Sequence, residues 1–309
     1  MRELAQRVIA EVRKVVVGQD DVVETVLIAA AVAGHALLEG VPGTAKTLLA
    51  NAIARSFGLE FNRIQFTPDM LPSDVSGTMT LRGGKLTFRP GPVFTNILLG
   101  DEINRTPPKT QAALLEAMQE HQVTVEGEPH LLPDPFVVIA TQNPVEYEGT
   151  YPLPEAQLDR FVVKIDVDYP AEADEYAMLF IAHEGVMPVG LDDVEAVASG
   201  TDLTEARALV DATTVTEEVA WYIARLVRQT RLLPSVSLGA SPRAAIHLLA
   251  ASRAAARLEG RDFVTPDDVI HMAPPVLRHR LVLRPEAELE RYRPDDAIAT
   301  AIGAVPVPR

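Results

Sequence analysis

Apolar residues recur at near-helical spacing along the first segment, where Leu4, Val8, Ile9, Val12 and the pair Val15/Val16 share one face. Val17-Gly18-Gln19-Asp20 breaks this pattern, and a second helix rich in Val and Ala is predicted from Asp20. Short apolar runs then alternate with helical stretches. His35 to Glu39 reads as a buried strand and Leu48 to Ala54 as the apolar part of a helix. Leu59 to Phe66 reads as another strand, its alternation interrupted at Arg63. Thr95 to Glu102, Phe136 to Thr141 and Phe161 to Val167 are further strands. Pro107-Pro108 opens a helix whose apolar face is Ala112 to Met118. Two hairpins interrupt this order. Met79 to Arg82 and Lys85 to Phe88 flank Gly83-Gly84, and Gln122 to Val125 and Pro129 to Leu132 flank Glu126-Gly127-Glu128.

From Tyr169-Pro170-Ala171 onward the strands stop. Helices are predicted over Glu172 to His183, Leu203 to Asp211, Glu217 to Leu232, Pro242 to Leu258 and Pro266 to Met272, and the Val305 to Arg309 tail is expected to fray. The predicted division is an α/β core over residues 1–170 and a smaller all-helical domain over 171–309.

Composition narrows the function classes. The 309 residues are 47% hydrophobic and 23% charged, as in a globular protein with a sizeable core. Val22 to Leu38 is too interrupted, by Glu24 and His35, to span a bilayer, and the N-terminus lacks a signal-peptide core. A cytoplasmic protein is expected, reaching membranes only through a partner. The absence of cysteine excludes disulfides, thiolate metal sites and cysteine nucleophiles. The seven histidines show no metal-binding spacing, and there is no Gly-x-Ser-x-Gly elbow. A net charge of −15 repels a nucleic-acid backbone on average, so protein substrates are favoured.

The candidate chemistry centres on Gly40-Val41-Pro42-Gly43-Thr44-Ala45-Lys46-Thr47, between the first strand and the helix that follows. Backbone N–H groups of such a turn, with the positive end of the helix, can surround a polyphosphate; Lys46 can reach its terminal phosphates and Thr47 can ligate magnesium. Ala45 stands where the strict pattern has glycine, which is acceptable if that residue has helical dihedrals. Asp101 and Glu102 close the next central strand, the first suited to magnesium and the second to orienting or deprotonating water. Asn143, at the tip of an apolar strand, can hydrogen-bond a γ-phosphate or the lytic water, although Asn-Pro is also a common turn. Gly18-Gln19 is either an adenine-contacting turn or a helix boundary capped by Asp20. Arg160 either enters a neighbouring subunit's site or pairs with Asp159 or Glu155, and Arg243, after the cap Ser241 and Pro242, either touches phosphate or is solvated.

These residues occur in an order that resembles the AAA+ ATPases, and among them the MoxR branch. The resemblance covers nearly the whole chain, through Val17-Gly18-Gln19, the loop 40–47, Gln65 to Asp69, Leu71 to Asp74, Phe88 to Pro92, Asp101 to Arg105, Glu116 to Met118, Ala140 to Pro144, Leu153 to Phe161 and Ser241 to Arg243. Ala45 is the usual form in that branch, while Gly100 stands where alanine is commoner. The resemblance implies a P-loop NTPase αβα core with a parallel central sheet and inserted hairpins, followed by a helical lid. It further implies Walker A residues Lys46 and Thr47, Walker B residues Asp101 and Glu102, a sensor at Asn143, a trans-acting arginine at Arg160 and a lid sensor at Arg243. Gly18, Gln19, Gly40, Pro42, Gly43, Thr44, Ala45 and Leu48 would contact the nucleotide. Similar proteins form rings, usually hexamers, bind ATP with Mg2+, and act as chaperone-like ATPases on client complexes beside proteins with von Willebrand factor A domains. A magnesium-chelatase-like motor subunit and a nucleotide-gated assembly module with little turnover are the alternative readings. A DNA-associated motor is disfavoured by charge.

Overall fold

The computed structural model describes every residue except Pro42, 144–149, 181–182, 185–186, 189 and Arg309, and leaves aside the side chains of residues 82, 183–184 and 187–188. By its contacts the chain forms two units. One, the sheet unit, comprises residues 3–153 and 165–204; the other, the helical unit, comprises 1–2, 154–164 and 205–309.

In the sheet unit, helices α1 (Arg2–Val12) and α2 (Asp20–Ala31) precede β1 (Ala36–Gly40), α3 (Lys46–Ser56) and β2 (Phe61–Gln65). Then come α4 (Pro72–Ser76), the hairpin β3 (Gly77–Arg82) and β4 (Lys85–Pro90), β5 (Ile97–Asp101) and α5 (Pro108–Glu120). A second hairpin, β6 (Gln122–Val125) and β7 (Glu128–Leu131), leads to β8 (Val137–Gln142), and β9 (Val163–Val167) completes the strands of the main sheet. The five-stranded sheet has the order β2-β5-β8-β1-β9. The β2–β5, β5–β8 and β8–β1 pairs are parallel. Central strands β5 and β8 are buried almost throughout, which is why both read as continuous apolar runs rather than alternating ones.

The order puts the acidic end of β5 and the polar end of β8 beside the loop that leaves β1. Two close approaches hold this arrangement. A Cβ on Gly40 would run into the Val167 carbonyl oxygen of β9, and one on Gly100 would sit 3.2 Å from the Phe66 ring and 3.4 Å from Leu114. Gly100 therefore sits where an added methyl group would press on Phe66. His35 is a structural pin: its buried ring accepts from Val138 N–H through Nδ1 and donates to the Met118 carbonyl through Nε2, both at 3.0 Å.

Both hairpins turn where positive φ is needed. Gly83 and Gly84 have φ of 57° and 78°, and Glu126 and Gly127 have 51° and 84°, the pattern of a tight turn matched to strand twist. Phe88 of the first hairpin stacks on His130 of the second, ring centroids 3.8 Å apart.

The helical unit contains Glu217–Thr230, capped by Thr216, Pro242–Leu258, capped by Ser241, Pro266–Leu277 and Pro294–Ala304. The expectation that strands stop from Tyr169 onward is corrected in detail. Val236–Leu238 pairs antiparallel with Val282–Leu283, and within the sheet unit His183–Glu184 pairs with Met187–Pro188, so the helix begun at Glu172 stops at Met178. These strands are too short to show a period of two. The helix from Pro266 passes Pro274 and Pro275 to reach Leu277, beyond the predicted Met272. Among the described residues, no helix is long and apolar enough to cross a membrane.

Candidate functional site

The loop between β1 and α3 positions the first group of residues. Helix α3 begins at Lys46, and Ala45 is its N-cap with φ 57° and ψ 21°. Ala45 is thus left-handed, so the condition of helical dihedrals is not met and its methyl group is held in a conformation that costs roughly 1–2 kcal/mol for an L-residue. No side chain caps α3 and its first turn carries no acid, leaving the positive end of the helix facing the loop uncompensated. The Lys46 ammonium donates to the carbonyls of Gly40 and Val41, both at 2.8 Å, and lies 3.3 Å from Thr44 Oγ1. Partial burial lowers the Lys46 pKa, while Asp101 and Glu102 oppose the shift.

The acids form a second group, built largely by residues that sequence reasoning passed over. Thr141, buried on β8, donates its hydroxyl to Asp101 Oδ1 at 2.5 Å and accepts from the Glu102 N–H at 2.9 Å. One hydroxyl therefore orders both acids. From β2, paired in register with β5, Arg63 meets Asp101 Oδ2 at 2.6 Å and Gln65 donates to Glu102 Oε2 at 2.8 Å. Arg63 also holds Gln65 Oε1 at 2.6 Å, and Arg105 lies 3.2 Å from Glu102. Glu102 itself has φ 56°, a second left-handed non-glycine residue beside the first. The broken alternation at Arg63 was a signal for this network, polar side chains on a strand next to the acidic strand, and Gln65 and Thr141 lie in motifs of the resemblance to which no role was given.

Lys46, Thr44, Thr141 and both acids line one cavity of about 840 Å³. Gly40, Gly43, Thr44, Ala45, Lys46, Thr47 and Leu48 reach it from the loop and α3, Asp101 and Glu102 from β5, and the buried Asn143 from beyond β8. The rest of its lining is mostly apolar, with Val15, Val16, Tyr169, Pro170 and Met178, and includes Glu175. Gln19 also lines it, buried, its Nε2 donating to the Thr44 carbonyl at 2.9 Å. The arrangement offers donors and a cation for phosphates, acids for water, and an apolar slot for a flat base.

Gly18 is not brought into that lining. It has φ +75°, and a Cβ there would meet Asp174 at 2.6 Å, so its visible role is to shape the turn. Arg160, half-buried, and Arg243, exposed, belong to the helical unit. Pro42 and Pro144 lie outside the described residues. A divalent ion here would draw on the Thr47 hydroxyl and the Asp101 carboxylate, oxygen donors of the kind magnesium takes alongside substrate phosphates. Among the described residues, no cluster of three or more His, Cys, Asp or Glu could hold a metal alone.

Known proteins share this sequence and fold. The ATPase family associated with various cellular activities (AAA) matches residues 35–163, and the AAA lid domain matches residues 228–301. Chaperone MoxR1 of Mycobacterium tuberculosis is 44% identical over 98% of this chain and 82% of its own length. Protein MoxR of Methylorubrum extorquens is 32% identical over 99% of this chain and 96% of its own. The chain belongs to the MoxR family of AAA+ ATPases. Membership makes it a nucleotide-binding ATPase with a central parallel sheet and an AAA lid. YeaC of Bacillus subtilis is 46% identical to this MoxR-family chain over its whole length and 96% of YeaC. A crystal structure of an ATPase from Cytophaga hutchinsonii superposes with a TM-score of 0.91 at 42% identity, covering all of this chain and 96% of that one.

Proposed function

We propose that this MoxR-family ATPase hydrolyses ATP, with magnesium, at sites completed between the subunits of a ring, and couples turnover to remodelling of client protein complexes in the cytoplasm. The resemblance adds a partner with a von Willebrand factor A domain, and the relative named Chaperone MoxR1 supports the chaperone-like role.

The observation that carries the reading is the Thr141 hydroxyl, which orders Asp101 and Glu102 in the cavity that also holds Lys46. On binding ATP, Lys46 exchanges the Gly40 and Val41 carbonyls for phosphate oxygens, joined by loop N–H groups and the positive end of α3. The apolar part of the cavity takes the adenine. Glu102, oriented by Gln65 and by the Thr141 bond to its own N–H, accepts the proton of the attacking water, and Asn143 helps to place that water or the γ-phosphate. Magnesium held by Thr47 and Asp101 would supply charge neutralisation on the phosphates. Arg160 from a neighbouring subunit and Arg243 from the lid neutralise charge that develops during transfer.

The test is Glu102→Gln, assayed for phosphate release and for binding of a fluorescent ATP analogue. The reading predicts retained binding with turnover lowered by about a hundredfold or more. Turnover at the wild-type rate would contradict the role given to Glu102.

A further inference from the structure

Arg160 sits in a segment with little structure of its own. The preceding helix, Glu155–Leu158, is four residues long and buries none of them. The segment is instead held within the helical unit by side chains from later in the chain, foremost one buried guanidinium. Arg280, with 2% of its side chain exposed, donates from Nε to Asp159 Oδ1 at 2.6 Å. Its two terminal nitrogens reach the carbonyls of Phe161 at 2.6 Å, Val162 at 3.2 Å and Val276, and His247 Nδ1 at 2.6 Å. The adjacent His279 adds a bond from Nε2 to the Phe161 carbonyl at 3.1 Å. The residues on either side of Arg160 are therefore both anchored.

The second oxygen of Asp159 points to another element. Ser241 Oγ donates to Asp159 Oδ2 at 3.1 Å while accepting from the Ala244 N–H at 3.3 Å, as N-cap of the helix that carries Arg243. One carboxylate thus joins the chain at Arg160 to the helix start at Arg243. A buried ion pair of this kind is not needed for stability alone, since well-packed apolar residues often serve as well; its distinct contribution is fixed geometry.

We propose that Asp159 and Arg280 are positioning residues that make Arg160 and Arg243 parts of one body. The inference rests on the reading that Arg160 acts on a neighbouring subunit. A lid shift driven by one subunit's nucleotide through Arg243 then moves the arginine offered to the next site, so the state of one site sets the turnover of its neighbour.

The experiment mixes full-length subunits. Arg160→Ala subunits keep an intact site but offer no arginine; Glu102→Gln subunits offer the arginine from a dead site. Each is expected to be nearly inactive alone and the mixture active. The donor is then changed to Glu102→Gln/Asp159→Asn, and separately to Glu102→Gln/Ser241→Gly, glycine being a tolerable N-cap that removes the link without stranding Arg280. With the first donor, the kcat of the mixture should fall by about tenfold to a hundredfold, as for a misplaced reacting group, with KM for ATP unchanged. The second should produce a smaller fall with the same split, and it decides the matter if the Asp159→Asn donor fails to fold. Full complementation by both altered donors, or a loss seen only in KM, overturns the coupling while leaving the shared site intact. Failure of the unaltered pair to complement overturns the trans reading, and the coupling with it.

Discussion

Gln65 donates a hydrogen bond to Glu102 at 2.8 Å from the neighbouring parallel strand, so the carboxylate assigned to activate water is aimed by an amide that lies outside the phosphate loop and the acidic pair. Gln65 is in turn held by Arg63, which also pairs with Asp101, making the pair of acids and the pair on β2 one network.

Replacing Gln65 by alanine removes one of the groups that hold the Glu102 carboxylate and leaves it to the ion pair with Arg105. Steady-state phosphate release should fall by roughly tenfold to a hundredfold while ATP-analogue affinity stays near wild type, the signature of a lost orienting contact. Equal losses in affinity and turnover would place Gln65 in ground-state binding instead.

Thr141→Val keeps the shape of a buried residue and removes the hydroxyl. The Glu102 N–H and Asp101 Oδ1 then lose a partner, which should cost about 1–3 kcal/mol in urea unfolding and also lower turnover. Thr141→Ser should restore most of both, since its hydroxyl can make the same two bonds.

The left-handed Ala45 sets two terms against each other. Glycine relieves roughly 1–2 kcal/mol of positive-φ strain. It also adds about 0.4–1 kcal/mol of unfolded-chain entropy to be lost. Ala45→Gly should therefore stabilise the protein slightly in urea unfolding and leave nucleotide binding in place; a clear destabilisation would show that the methyl group makes packing contacts worth more than the strain.

Acid should weaken the helical unit through His247. Burial, the Arg280 guanidinium and then Arg243 push its pKa from 6.5 down to about 4, with Asp159 opposing. The unfolded chain takes up this proton first as pH falls. Stability is thus lost between about pH 6.5 and 4 and does not change further on this account below 4. Burial lowers the His279 pKa in the same direction. His247→Asn, which can still accept from Arg280 but does not titrate, should flatten the fall in melting temperature across that window. An unchanged slope would assign the acid sensitivity elsewhere.

The phosphate loop, the acidic pair and both hairpins were legible because each rests on residue types with local meaning: glycines at a turn, a lysine after them, acids at a strand end. Thr141 was not, since an apolar run ending in threonine reads the same whether or not the hydroxyl bridges two acids. The left-handed turn at Ala45 could not be read either, because its dihedrals depend on how the loop closes onto α3 rather than on its own preference. Arg280 and Asp159 lie 121 positions apart, and their bond has no pattern in one dimension. The helix Pro294–Ala304 was missed for another reason: its buried residues are Ala297, Ile298 and Ala301, too few and too small for a strong periodic signal. The change of pattern at Tyr169 marks where the main-sheet strands end, whereas contacts interleave the two units and assign 154–164 to the helical one.

The most direct test of the account is ATP turnover per subunit as a function of protein concentration, with size measured in parallel by light scattering, for wild type and Arg160→Ala. The account predicts that specific activity rises as the protein assembles, and that Arg160→Ala assembles yet hydrolyses at least about a thousandfold more slowly. Activity independent of concentration and indifferent to Arg160 would contradict a site shared between subunits, and would leave a nucleotide switch complete in one chain.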